Sequence, residues 1–145
     1  MLTLEIADKV ADVALRKGRE SGFTPLTVAV LDAGGQLKVL KRDDNCSLLR
    51  PEIAVGKAWG VLGMGFGGRE LARRAAIVPA FFNALSVMSN GRMVPVPGGV
   101  LIRAADGAIV GSVGISGDAS ENDELCAVAG IHGAGLIADT GEPAK

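Results

Sequence analysis

Two short turn signatures, Asp32-Ala33-Gly34-Gly35 and Ala105-Asp106-Gly107, each stand between two strand-like runs and set the class of fold open to this chain. An aspartate that accepts backbone hydrogen bonds, followed by glycines free to take positive φ, is what a tight hairpin demands. The first turn joins Leu26–Leu31 to Gln36–Arg42, and the second joins Gly99–Ala104 to Ala108–Ser116. The first of these strands is apolar on both faces, which predicts a central position. The second alternates charged and apolar residues, as a more exposed strand does. In the last strand Ile109, Gly111, Val113 and Ile115 share one face. Val110, Ser112, Gly114 and Ser116 share the other, where small side chains predict a closely packed helix.

Helical signals surround the hairpins. Thr3 is a suitable cap for a helix to Ser21, with Ile6, Val10 and Val13 beside Ala7, Ala11 and Ala14 on one face and Gly22 as its stop. Asp43-Asp44-Asn45 ends the first hairpin, and Pro51-Glu52 suits the first turn of a helix reaching Leu62. Arg69–Ala76 and Ala80–Met88 read as helices broken by glycines and Pro79, and Ser89-Asn90-Gly91 reads as a turn. Met93–Gly99, with Pro95 and Pro97, reads as an extended approach. A final helix starts near Ser120, which forms a capping-box-like pair with Asp123, and runs through Leu125, Val128, Ala129 and Ile131 toward Leu136. Residues 139–145 read as a flexible tail. Hairpin-linked strands with helices segregated around them imply an antiparallel sheet in a mixed α/β layered fold, one domain over residues 1–145.

Composition narrows the class. Hydrophobic residues make up 48% of the 145, aromatics only 3%, and tyrosine is absent, so the core is aliphatic. A net charge of −1, with no basic run, argues against nucleic acid or an anionic membrane as partner. Cys46 and Cys126 are far apart and lack CxxC spacing, which suits a reducing compartment. Residues 1–20 hold no apolar signal core, and no apolar run reaches a membrane span, so a cytoplasmic location is expected.

In order along the chain, Val28-Ala29-Val30-Leu31-Asp32-Ala33-Gly34-Gly35, Arg42-Asp43, Ala54 and Lys57-Ala58 are followed by Pro97-Gly98-Gly99-Val100, Asp106-Gly107, Val110-Gly111 and Val113-Gly114-Ile115-Ser116-Gly117. With the acidic start of the last helix and Ala129-Gly130, this ordered set resembles the GlcG/HbpS family, described as haem-binding or haem-degrading. The resemblance implies a profilin-like, three-layer α/β/α fold with a five-stranded antiparallel sheet flanked by helices. It also implies assembly into homo-oligomers and a small-molecule ligand, haem among them. Members differ in biochemical role, so the resemblance does not name a reaction.

The polar residues offer several candidate sites. Arg42 and Asp43 at a strand end and Lys57 in the next helix form the most prominent group. An arginine grips a carboxylate bidentately, and a lysine supplies a point charge or, desolvated, a base. Gly98 and Gly99 would let a ligand approach the backbone beside them. The structural alternative is an ion pair closing the hairpin onto the helix. His132, the sole histidine, shares a helical stripe with Leu125, Val128, Ala129 and Leu136. It is the best strong iron ligand in the chain, ahead of Cys46, Cys126 and the methionines. The histidine toward the N-terminus that haem-binding members would use is missing here. A partly buried, structurally satisfied His132 is therefore expected, with weak haem binding that depends on it at most modestly. Gly63, Gly65 and Gly68 match G-x-G-x-x-G but lack the preceding strand and the acidic residue that dinucleotide binding needs, so they read as a helix-breaking loop. Glu121, Asp123 and Glu124 read as helix-start charges rather than metal ligands. No zinc spacing or hydrolase motif occurs. The leading reading is a small-molecule binding protein, with haem as a possible cofactor, acting as a homo-oligomer accessory to a catabolic pathway. The alternatives are a cofactor-independent lyase or isomerase acting on a small carboxylated or aromatic metabolite, or a subunit with no ligand.

Overall fold

A computed structural model of the chain describes residues 1–142. Helix α1 (Leu4–Glu20) starts where Thr3 Oγ1 accepts the Ile6 N–H at 3.2 Å, satisfying one of the free donors of the first turn. Strands β1 (Thr27–Asp32) and β2 (Leu37–Arg42) follow, then helices α2 (Arg50–Met64), α3 (Gly68–Ile77) and α4 (Pro79–Met88). Strands β3 (Gly99–Arg103) and β4 (Ile109–Ser116), helix α5 (Ser120–Gly133) and the short strand β5 (Ile137–Asp139) complete the order.

The sheet runs β2-β1-β4-β3-β5, every neighbouring pair antiparallel. Central β1 is buried on both faces and β2 lies at an edge, as their sequence patterns require. Helices α1 and α5 cover one face. There Val10, Ala11 and Ala14 meet Val28, Val30, Val113 and Ile115, with Cys126, Ala127 and Ile131 from α5. Helix α2 crosses β1, β4 and β3 on the other face, where Val61, Leu71, Phe82, Met93 and Leu101 form a second apolar cluster. The result is the expected three-layer α/β/α arrangement around an aliphatic core.

The small-residue face of β4 is where α2 lies. A Cβ on Gly114 would overlap the Ala54 carbonyl oxygen and come within 2.7 Å of the Ala58 nitrogen, so no larger residue fits. Ser112 Oγ donates to the Ala58 carbonyl at 2.8 Å, tying helix to strand through a satisfied buried hydroxyl.

Two expectations change. Ser120 is not the cap of α5; Ala119 is, without a side-chain bond. Asp118 instead accepts the Ala119 N–H at 2.7 Å and the Asn122 side-chain amide at 2.8 Å, and Asp123 Oδ1 accepts the Asp118 N–H at 3.0 Å. Residues 139 and 140, expected to belong to a tail, are also tied to the fold. Asp139 lies in β5 and pairs with Arg103 at 2.9 Å, and the Thr140 carbonyl accepts the Arg69 N–H at 3.0 Å. Backbone pairing holds these residues to β3 and α3, and three residues are too few to show a strand period. The last three residues, 143–145, lie outside the described residues.

Candidate functional site

The structure separates the polar group anticipated around Lys57. Lys57 is buried in α2 and its Nζ donates to the Ile115 carbonyl at 2.8 Å and to Asp123 Oδ2 at 3.1 Å. Both side chains are almost fully withdrawn from water, 4% and 1% exposed. Burial pushes the Lys57 ammonium below its usual range, and the attraction of Asp123 offsets part of that shift. Burial likewise pushes the Asp123 carboxyl up, against the pull of Lys57. Asp123 is therefore a buried partner on α5 and not only a helix-start charge. Its spacing from Ser120 suggested a cap, and that local reading hid a long-range role.

Gly98 and Gly99 do lie beside Lys57, but the lysine itself fills the space. A Cβ on Gly98 would sit 2.8 Å from Lys57 Nζ, and one on Gly99 would sit 2.5 Å from the Lys57 carbonyl oxygen. The close backbone approach serves an internal ammonium rather than a ligand. Arg42 and Asp43 make no hydrogen bond or ion pair with Lys57 among the described residues. Arg42 donates to the Cys46 carbonyl at 2.6 Å and is exposed. Asp43 pairs with Arg19 of α1 through two bonds, at 3.1 and 3.0 Å, and this pair holds its carboxyl below the usual range. The ion pair expected to close the hairpin onto α2 instead ties the hairpin to α1.

One cation near Lys57 was not singled out by the sequence. Arg50, at the start of α2, donates to Ser47 Oγ at 3.2 Å and to Ser116 Oγ at 3.0 Å. Glu124 is also buried, in a bidentate pair with Arg69 whose distances run from 2.8 to 3.0 Å. The glycine-rich segment after α2 is a helix stop, with Gly65 at φ 76° as C-cap and no strand before it.

His132 was expected to be partly buried; it is exposed. The inward side of α5 is formed by Asp123, Cys126, Ala127, Gly130 and Ile131. Of the stripe, Leu125 (48% exposed) and His132 face water, whereas Val128 and Leu136 are half-buried and pack against the core. The apolar residues Val128 and Leu136 thus serve the core as their period implies, and His132 differs from expectation in being exposed. Both thiols are buried, Cys46 Sγ lying 3.2 Å from Thr27 Oγ1, and burial with the nearby Asp123 pushes the Cys126 thiol up to about 11. A neutral, inaccessible thiol does not ligate iron. Among the histidine and cysteine side chains, His132 is thus the one exposed to solvent. No group of three metal-ligating side chains occurs among the described residues.

Comparison with known proteins agrees with this architecture. The family model described as "Haem degrading protein HbpS-like" matches residues 2–132. A crystal structure of a PduOC–haem complex superposes with a TM-score of 0.83 and 26% identity, covering 97% of this chain and 99% of the other. The HbpS of Streptomyces reticuli, in a double-mutant form, gives 0.77 and 30%, covering 90% of this chain and 85% of the other. An uncharacterized 15.0 kDa protein encoded in the dhaT-dhaS intergenic region of Citrobacter freundii is 28% identical over 126 residues, 87% of each chain. With the fold, the ordered motifs and this match in agreement, the chain belongs to the HbpS-like family.

Proposed function

We propose that this protein binds haem as a homo-oligomer, with iron held by His132 at a surface that a second copy helps to enclose. The observation that carries the reading is the superposition of nearly the whole chain on a haem complex. The exposed position of His132 supports it, because the imidazole is not consumed by the core. Haem bound there would supply an iron centre; the chain would supply the imidazole of His132, with the exposed Leu125 beside it on α5.

Self-association is supported by α4. This helix, Pro-Ala-Phe-Phe-Asn-Ala-Leu-Ser-Val-Met, carries no charge, yet Phe81, Val87 and Met88 are exposed, and Ile77 and Val78 lie exposed just before it. An exposed apolar patch of this kind marks a contact surface in a soluble protein. An accessory place in a catabolic pathway remains part of the proposal. Arg42, Asp43 and Lys57, on which the catalytic alternative relied, have separate partners and are not assembled into one site.

An optical titration of the purified protein with haem tests the reading. A saturable Soret band at a fixed haem-to-subunit ratio supports it. Absorbance that rises without saturation, as for haem adsorbed to any apolar surface, rejects it.

A further inference from the structure

On the face of the sheet opposite His132, a groove of about 460 Å³ runs between edge strand β2 and helix α2. Its floor is apolar, from Leu40, Pro51 and Val55, with Gly56 beside them. The turn Asn90-Gly91 forms one wall, with φ of 57° at Asn90 and 79° at Gly91. A non-glycine residue in the left-handed region is uncommon, and Arg92, just after this turn, is part of the groove's lining. The Arg92 guanidinium stacks 4.3 Å from the centre of the Trp59 ring, and its Nε donates to the Ser89 carbonyl at 2.8 Å. Stacking and that one bond fix the plane of the guanidinium. Among the described residues no carboxylate pairs with it, so its remaining N–H groups have no anionic partner.

We infer that this groove is a second, haem-independent ligand site, for a small amphiphilic monocarboxylate. The volume suits a small organic molecule. An apolar body lies on Leu40, Pro51 and Val55, and a carboxylate pairs with the oriented Arg92 fork. Glu52, the other charged residue of the lining, repels a second carboxylate and favours a hydroxyl or ammonium substituent. That charge balance selects against dianions. The site stands apart from the haem proposal: it uses neither His132 nor α5.

Trp59 is the sole tryptophan, so its fluorescence reports on the stacked Arg92 directly. The probe is 3-phenylpropionate, with 3-phenylpropanol as the uncharged counterpart and phenylsuccinate as the dianion. The expected result is a saturable change in Trp59 emission with 3-phenylpropionate at millimolar concentration or below. The alcohol and the dianion should bind about tenfold more weakly or worse, as should 3-phenylpropionate to Arg92→Gln, the loss expected for hydrogen bonds to a charged group. Val55→Glu, which leaves Arg92 in place but charges the floor, should abolish the response. Far-ultraviolet circular dichroism of both variants confirms that they are folded. No saturable response in the wild type, equal binding of the alcohol, or unchanged binding in folded Arg92→Gln overturns the assignment. None of these outcomes bears on the Soret titration.

Discussion

Lys57 and Asp123 are 66 residues apart in sequence and 3.1 Å apart in space, and the pair links helices from opposite faces of the sheet. Helix α2 and helix α5 meet there around the end of β4, whose Ile115 carbonyl completes the ammonium's bonding. Each charge is buried, so each depends on the other, because removing one partner leaves an uncompensated ion in a nonpolar setting.

Replacing Lys57 with Met should therefore cost about 3–5 kcal/mol, and so should Asp123→Leu. The double variant Lys57→Met/Asp123→Leu should recover much of the loss, giving a coupling of about 2 kcal/mol or more. Urea unfolding of the wild type, the two single variants and the double variant measures this. A Lys57→Met protein within about 1 kcal/mol of wild type contradicts a mutually dependent pair.

The buried Cys126 thiol makes a prediction about alkaline pH. Its folded value, about 11, lies above its ordinary 9.0, so between these values the folded state retains a proton that the unfolded chain has released. Stability contributed by this group is then present below pH 9 and lost as pH rises toward 11. The loss is on the order of 2 kcal/mol. Denaturation of wild type and Cys126→Ala across that range isolates the effect: the variant should show a shallower alkaline decline. Parallel curves would show that the thiol is not shielded.

Much of the fold is legible in the sequence because its signals are local. The Asp-Gly turns, the Thr3 cap and the small face of β4 each carry their own stereochemical cause, and each lies where the sequence placed it. Strand β5 is too short to show a period, and its place follows only from backbone pairing with β3. The candidate site was less legible because its partners are distant. Asp43 has Arg19 beside it, and Lys57 has Asp123, by virtue of the way α1 and α5 pack, and no local pattern encodes either choice. The α5 stripe shows the same limit. Periodicity identified residues that share a side of the helix, but Gly130 and Cys126 mark the buried side, and those small residues lie outside the stripe that hydrophobicity favours.

The uncharged surface of α4 predicts assembly. Phe81 and Val87 are 52% and 80% exposed, so charging them costs little in the fold of one subunit. Phe81→Glu/Val87→Glu should melt near the wild-type temperature yet sediment as a smaller species. Analytical ultracentrifugation at micromolar concentration is the check. A wild type that already sediments as a monomer contradicts the proposal.

Under the proposed function, His132 holds haem iron. The direct measurement is a Soret-monitored haem titration of wild type and His132→Ala, with circular dichroism confirming that the variant is folded. The expected result is a saturable band in the wild type and a shifted, weakened band in His132→Ala, with affinity lower by about tenfold or more, as for loss of an iron-ligating imidazole. Saturable binding of equal affinity and unchanged spectrum in the folded variant would contradict it and place the iron elsewhere.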